Sequence, residues 1–200
     1  RSFIPMLVER IFNRVKRLFR SKKSLRKELC ATRSDLTELE LKCILNCLDQ
    51  FDAPTYLEIG VYFGGNLSKI LKHLSISKDK FRVIGVDLFE DLEGQNKDQQ
   101  THDLINKWNI LNVAYLNELE EKLNGYGFKN FQLIKGYSDQ IIHNLSEQVD
   151  VFFVDGNHTF KQTQNDAMAC MEKSKLGSYL IFHNASNNIE PDPQYVNRDG

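Results

Sequence analysis

Two hundred residues with 41% apolar content can bury one sizeable core, which bounds the chain to a single domain with an appendage. A net charge of −1 gives no broad electrostatic case for nucleic acid, and none is expected as a partner. The four cysteines, Cys30, Cys43, Cys47 and Cys170, include no C-x-x-C pair and meet no histidine at zinc-finger spacing. They read as reduced thiols of a cytoplasmic protein, with Cys43 and Cys47 on one core-facing side of a helix.

The first 33 residues form a unit of their own, a basic amphipathic helix ahead of a domain over residues 34–200. Ten bases stand against one acid, Glu9, between Arg1 and Lys27. Ile4, Leu7, Val8, Ile11, Phe12, Val15, Leu18 and Phe19 recur at the spacing of one helix face. Its apolar runs are too short to span a bilayer and it carries no small-residue cleavage site, so neither a membrane span nor a secretory signal is expected. The stripe can pack on its own domain or in a homodimer, the reading ranked first, or make peripheral contact with an anionic membrane.

Thr37 and Glu40 have the spacing of a capping box, and Leu36 can staple to Leu41. Leu41, Ile44, Leu45 and Leu48 continue an apolar helix face that Asp52-Ala53-Pro54 stops. The helix is expected to flank a sheet or help cover a ligand.

Next, Tyr56-Leu57-Glu58-Ile59-Gly60-Val61-Tyr62-Phe63-Gly64-Gly65-Asn66 runs from an apolar strand through an acid and glycines into a helix over residues 66–73. Gly60 lets the backbone leave the strand sharply, and Gly64 and Gly65 let a ligand lie against bare main chain at a helix N-terminus. A tight turn with no ligand is the plain alternative. The next strand, Arg82-Val83-Ile84-Gly85-Val86-Asp87, delivers a carboxylate suited to ribose hydroxyls. A dinucleotide turn would want glycine where Tyr62 stands. Glu58, before the first glycine, would repel a diphosphate and suits the ammonium of an amino-acid cofactor.

Residues 89–100 are polar and read as a loop that could gate a site. Hydrophobic spacing resumes over a helix at 104–123 containing Trp108, and a third strand runs from Phe131 to Gly136. A fourth strand, Asp150-Val151-Phe152-Phe153-Val154-Asp155, releases Asp155, Gly156 and His158 at its end, before a helix over 159–171. A fifth, over 178–183, delivers His183 and Asn184 in the same manner. With strands at 55–60, 82–87, 131–136, 150–155 and 178–183 alternating with helices, the fold expected is a doubly wound, mostly parallel α/β sheet of Rossmann type. The polar residues then converge on one rim. Asp155 and Asn184 offer oxygen ligands for a divalent cation, magnesium or manganese. His183 either shifts the choice of metal or hydrogen-bonds a ligand. His158 is the candidate general base, its alternative role being to cap the following helix.

In the order of Glu58, Gly60, Gly64 and Asp87, followed by Asp155 and the His183-Asn184 pair, the chain resembles the class I S-adenosylmethionine-dependent methyltransferases. It is similar in particular to the small-molecule O-methyltransferases of catechol and macrolide-sugar type. The resemblance covers residues 55–186. It implies S-adenosylmethionine held by Glu58, Gly60, Gly64, Gly65, Asp87 and Asp155. Ser138 and Asp139 would lie beside the adenine, although they are also ordinary helix caps. The implied acceptor is a hydroxyl on a small molecule such as a sugar or glycosylated metabolite. An inactive cofactor-binding or interaction module of the same fold is the alternative function. The usual helix and antiparallel strand pair after the fifth strand have no counterpart in residues 187–200, which points to a truncated chain with an open sheet edge.

Overall fold

The computed structural model describes residues 31–34, 36–89 and 113–183. The basic N-terminal helix, the polar stretch from residue 90 onward, Trp108 and Asn184 lie outside the described residues.

The chain alternates helix and strand in the order α1 (Glu38–Leu48), β1 (Thr55–Ile59), α2 (Gly65–Ser77), β2 (Arg82–Asp87), α3 (Val113–Gly125), β3 (Phe131–Lys135), α4 (Ser138–His143), β4 (Val149–Val154), α5 (Phe160–Lys173) and β5 (Ser174–Phe182). The five strands form one sheet in the order β3-β2-β1-β4-β5, and every pairing is parallel. Short strands separated by helices allow this because a parallel neighbour needs a crossover, which each helix provides.

Strand alternation divides the core in two. Tyr56, Val83, Leu133, Val151 and Phe153 face Ile44 and Leu48 of α1, Leu67, Ile70, Leu71 and Leu74 of α2, and Tyr115, Leu119 and Leu123 of α3. Leu57, Ile59, Ile84, Val86, Phe152 and Val154 face Ile142 of α4 and Ala169 and Cys170 of α5. Side chains along a strand point to opposite faces, so the near-continuous apolar runs of β1, β2 and β4 are buried on both sides. Each fully buried leucine or isoleucine of α2 contributes about 2 kcal/mol through removal from water.

Thr37 and Glu40 form the expected capping box. Cys43, however, is exposed and Cys47 half-buried, and of the described cysteines only Cys170 is buried. They do share a side of α1, but Ile44 and Leu48 are the residues that meet the sheet. β5 begins earlier than its apolar pattern suggests. Ser174 pairs with Val149, the register then slips, and regular pairing resumes at Tyr179 opposite Val151. Buried Asp150 stitches this end of the sheet, accepting the Thr55 N–H at 2.9 Å and meeting Lys175 Nζ at 2.7 Å. Among the described residues no helix is long and apolar enough to cross a membrane.

Candidate active site

Parallel ladder bonds continue past the strand ends and set the polar residues in a row. Gly136 N donates to Asp87 O, Gly60 N to Val86 O, Asp155 N to Ile59 O and His183 N to Val154 O, all between 2.9 and 3.1 Å. Asp87, Gly60, Asp155 and His183 therefore stand side by side at the carboxyl edge, where open α/β sheets bind ligands.

Gly60 has φ +85°, and a Cβ there would lie 2.1 Å from the Asp155 carbonyl oxygen. The two strand ends can approach this closely only because residue 60 lacks a side chain. Gly64, at φ +72°, is the N-cap of α2 and supplies no side-chain cap. The main chain at Gly64 and Gly65 is not laid bare as the sequence suggests. Leu119 of α3 covers Gly64, and the Arg33 carbonyl covers Gly65. The strap at residues 31–34 is pinned there by Ala31 N, which donates to Phe63 O at 2.8 Å.

Between the two glycines, Tyr62 adopts φ +51°, a left-handed conformation costing a non-glycine residue about 1–2 kcal/mol. Asp87 offsets that cost. Its Oδ2 accepts the Tyr62 N–H at 2.7 Å, and its Oδ1 accepts the Phe89 N–H at 2.8 Å. The acid at the end of β2 thus shapes the glycine turn as well as lining the rim.

Glu58 is 1% exposed. Its Oε2 accepts from the Tyr56 hydroxyl and from Asn66 Nδ2, both at 2.9 Å. Burial pushes its carboxyl up to about 8, against the hydrogen bonds from Tyr56 and Asn66 and with the charges of Asp155 and Asp87 adding to the rise. Burial likewise raises the Tyr56 phenol well above its usual range, with Glu58 beside it. The sequence assigned Glu58 to an ammonium; in the fold it is the inner member of a cluster whose outer member is Asn66. Asn66 Oδ1 and Ser34 Oγ are buried with no hydrogen-bond partner among the described residues. Such atoms call for a polar ligand. With the Asp87 carboxylate, they fit the amino-acid and ribose ends of a nucleoside cofactor.

Asp155 lies beyond β4, and its Oδ1 accepts from two imidazoles, His183 Nδ1 at 2.8 Å and His158 Nε2 at 3.2 Å. Burial would raise this carboxyl, but the two histidine hydrogen bonds and the accompanying charge outweigh it and hold it below the ordinary range. His158 does not cap α5. Thr159 does, accepting the Gln162 N–H, and Asn157 Oδ1 braces the turn through the Thr159 N–H at 2.9 Å. His158 is left at the rim with its side chain about one-third exposed.

Ser138 and Asp139 do not hold the cap position of α4 either, which belongs to Tyr137. Ser138 Oγ turns to Asp166 on α5, while Asp139 Oδ1 accepts the neighbouring Gln140 N–H at 2.9 Å. Asp166 is a polar core residue that sequence reasoning missed. It is 1% exposed and also accepts from Gln162 Nε2 at 3.0 Å. Its only sequence signal is an acid four residues after a glutamine on an amphipathic helix.

The donors among the described residues do not by themselves make a divalent-cation site. Among the described residues no group of three or more histidine, cysteine, aspartate or glutamate side chains could hold a metal ion. The carboxylate of Asp155 is engaged by the two imidazoles, and Asn184, the other expected oxygen ligand, lies outside the described residues.

A family model described as a methyltransferase domain matches residues 57–185. The uncharacterized protein R132 of Acanthamoeba polyphaga mimivirus is 28% identical over 136 residues, 66% of this chain and 51% of the relative. The chain thus spans about half the length of that curated relative. Among solved structures, the calicheamicin methyltransferase CalS11 matches with TM-score 0.56 and 16% identity over 72% of this chain and 62% of its own. A second structure of CalS11 names it a TDP-rhamnose 3′-O-methyltransferase. The O-methyltransferase NovP matches with TM-score 0.55 and 17% identity over 72% of this chain and 63% of its own. At such identity these likenesses speak to the fold.

Proposed function

The chain belongs to the methyltransferase-domain family, and from that premise we propose that it transfers a methyl group from S-adenosylmethionine to a hydroxyl of a small molecule, a sugar or glycosylated metabolite. The observation that carries the reading is the pairing of His158 with Asp155 at the rim, next to the turn that Gly60 opens. When bound, S-adenosylmethionine supplies an electrophilic methyl group on a positively charged sulfur.

Asp87 holds the nucleoside end, and the buried, unpartnered Asn66 Oδ1 and Ser34 Oγ supply polar contacts to the amino-acid end. Glu58 orients Asn66. The acceptor oxygen forms its bond to the methyl carbon as the carbon–sulfur bond breaks, the electron pair passing to sulfur. The hydroxyl proton goes to His158. An ionised Asp155 can only accept hydrogen bonds, so Nε2 of a neutral His158 carries the hydrogen and Nδ1 keeps the lone pair that takes the proton. Asp155 then stabilises the charged ring. Alignment of the reactants supplies much of the rest of the acceleration. No step is routed through a metal.

CalS11 is named for methylating a nucleotide sugar, which makes nucleotide sugars the first acceptors to try. The test is incubation with methyl-labelled S-adenosylmethionine and a panel of sugars, sugar nucleotides, amines and thiols, with products identified by mass. Label on a sugar oxygen is expected. Label appearing only on nitrogen, sulfur or carbon acceptors would overturn the O-methylation reading.

A further inference from the structure

The capping box of α1 holds more than its own helix. Oε2 of Glu40 accepts from the Thr37 N–H at 2.8 Å and the Thr37 hydroxyl at 2.7 Å, and these bonds, with a smaller contribution from His183, lower the carboxyl below its ordinary range. Capping therefore occupies one oxygen. The other, Oε1, lies 3.5 Å from His183 Nε2. On the far side of that ring, Nδ1 meets Asp155 Oδ1, which also receives His158 Nε2.

Glu40, His183, Asp155 and His158 thus form a row of alternating carboxylates and imidazoles. It runs from the first turn of α1, across the ends of β5 and β4, to the turn before α5. His183 is 13% exposed, and its ring is tilted at 53° to that of Phe153, the centroids 6.0 Å apart. Its orientation decides what Asp155 meets. A half-turn of the imidazole exchanges Nδ1 with a carbon, and Asp155 would then face C–H instead of N–H. Glu40 resists this as an ion pair with the doubly protonated ring, whose Nδ1–H meets Asp155 while Nε2–H faces Glu40, and a mobile surface glutamate would do so poorly. Glu40 is already immobilised by Thr37, so its free oxygen is fixed at little further entropic cost.

We propose that Glu40 is a positioning residue of the transfer site: acting through His183, it fixes the Asp155 carboxylate and with it the His158 ring. The proposal rests on the reading of His158 as the base, yet it has a readout that needs no turnover. Glutamine also completes a capping box, so Glu40→Gln keeps the helix start while replacing the carboxylate that faces His183. Glu40→Ala removes both functions.

The experiment compares the whole wild-type chain with both variants by thermal melting, by S-adenosylhomocysteine titration and by nitrogen-15 spectra of the histidine rings. Glu40→Gln is expected to melt with wild type and to bind S-adenosylhomocysteine within about twofold. Its His183 and His158 ring signals should shift, although residue 40 does not touch His158. In the transfer assay kcat should fall about tenfold or more, with KM for the cofactor unchanged. Wild-type His183 and His158 signals in Glu40→Gln would overturn the proposal. Failure of the wild type to bind S-adenosylhomocysteine would contradict the methyltransferase reading instead, and the ring spectra would still decide whether Glu40 orders the two histidines.

Discussion

His183 Nδ1 meets Asp155 Oδ1 across 2.8 Å, joining side chains 28 positions apart at the ends of neighbouring strands. The ladder bond from His183 N to Val154 O brings the two residues level. Because the same aspartate oxygen also accepts from His158, loss of the base should leave its support standing. His158→Ala is expected to lower kcat by about 10²- to 10⁴-fold, the usual worth of a positioned acid or base. S-adenosylhomocysteine affinity should stay within about twofold. Steady-state kinetics beside calorimetry checks both halves, and retained turnover would remove His158 as base.

Glu58 makes stability depend on pH in a direction opposite to most carboxylates. Burial raises its pKa from 4.5 to about 8 in the folded chain, so between those values the folded state binds more protons than the unfolded state. Its contribution is complete below about pH 4.5 and is lost as pH rises through about 8. The loss is on the order of 5 kcal/mol if the full interval is realised. Glu58→Gln keeps the shape of the protonated acid and cannot titrate. Denaturant unfolding at pH 5 and pH 8 should show a smaller fall in stability for the variant than for wild type, and an equal fall would contradict the assignment.

The Rossmann-type sheet was legible because apolar strands, turn glycines and capped helices succeed one another at crossover spacing. The Thr37–Glu40 box followed from its local spacing, and the rim positions of Asp87, Asp155 and His183 from that topology. What the side chains do at those positions was less legible. Strand periodicity places Glu58 and Tyr56 on one face, but nothing local announces that Asn66, on the next helix, closes the cluster. Ser138 looks like a helix cap until α5 is seen to bring Asp166 against it, 28 positions later. The glycine at position 65 reads as room for a ligand, yet the neighbour that fills the room is the Arg33 carbonyl from an upstream strap. Each miss is a contact between separate elements, which periodicity and spacing do not encode.

Gly60→Ala should be among the most damaging single-methyl additions to this chain. It places a Cβ 2.1 Å from the Asp155 carbonyl oxygen at a φ of +85°. Backbone strain and steric displacement together should cost at least about 2 kcal/mol. Thermal melting would read this as a lowered midpoint. S-adenosylhomocysteine affinity should fall with it, because the shifted Asp155 loop borders the same turn.

Asp166 ties α4 to α5 through Ser138 and Gln162. Burial raises its carboxyl, against the hydrogen bonds of those partners. Asp166→Asn retains an acceptor and the side-chain volume and should cost less than about 1 kcal/mol. Asp166→Ala removes the acceptor that half-buried Ser138 and Gln162 share, leaving them only their long mutual contact at 3.5 Å, and should cost about 1–3 kcal/mol. Chemical denaturation of the pair measures the difference, and equal losses would show that neither the retained volume nor a neutral acceptor replaces the Asp166 carboxyl.

The cofactor site is the claim on which the others depend, and calorimetric titration of the whole chain with S-adenosylhomocysteine tests it most directly. Saturable binding is predicted, weakened at least about tenfold in Asp87→Asn, which exchanges a carboxylate bound to the Tyr62 and Phe89 amides for a neutral amide. Protein that melts cooperatively yet gives no heat of binding at any temperature tried, or that binds equally well without the Asp87 carboxylate, would contradict the account.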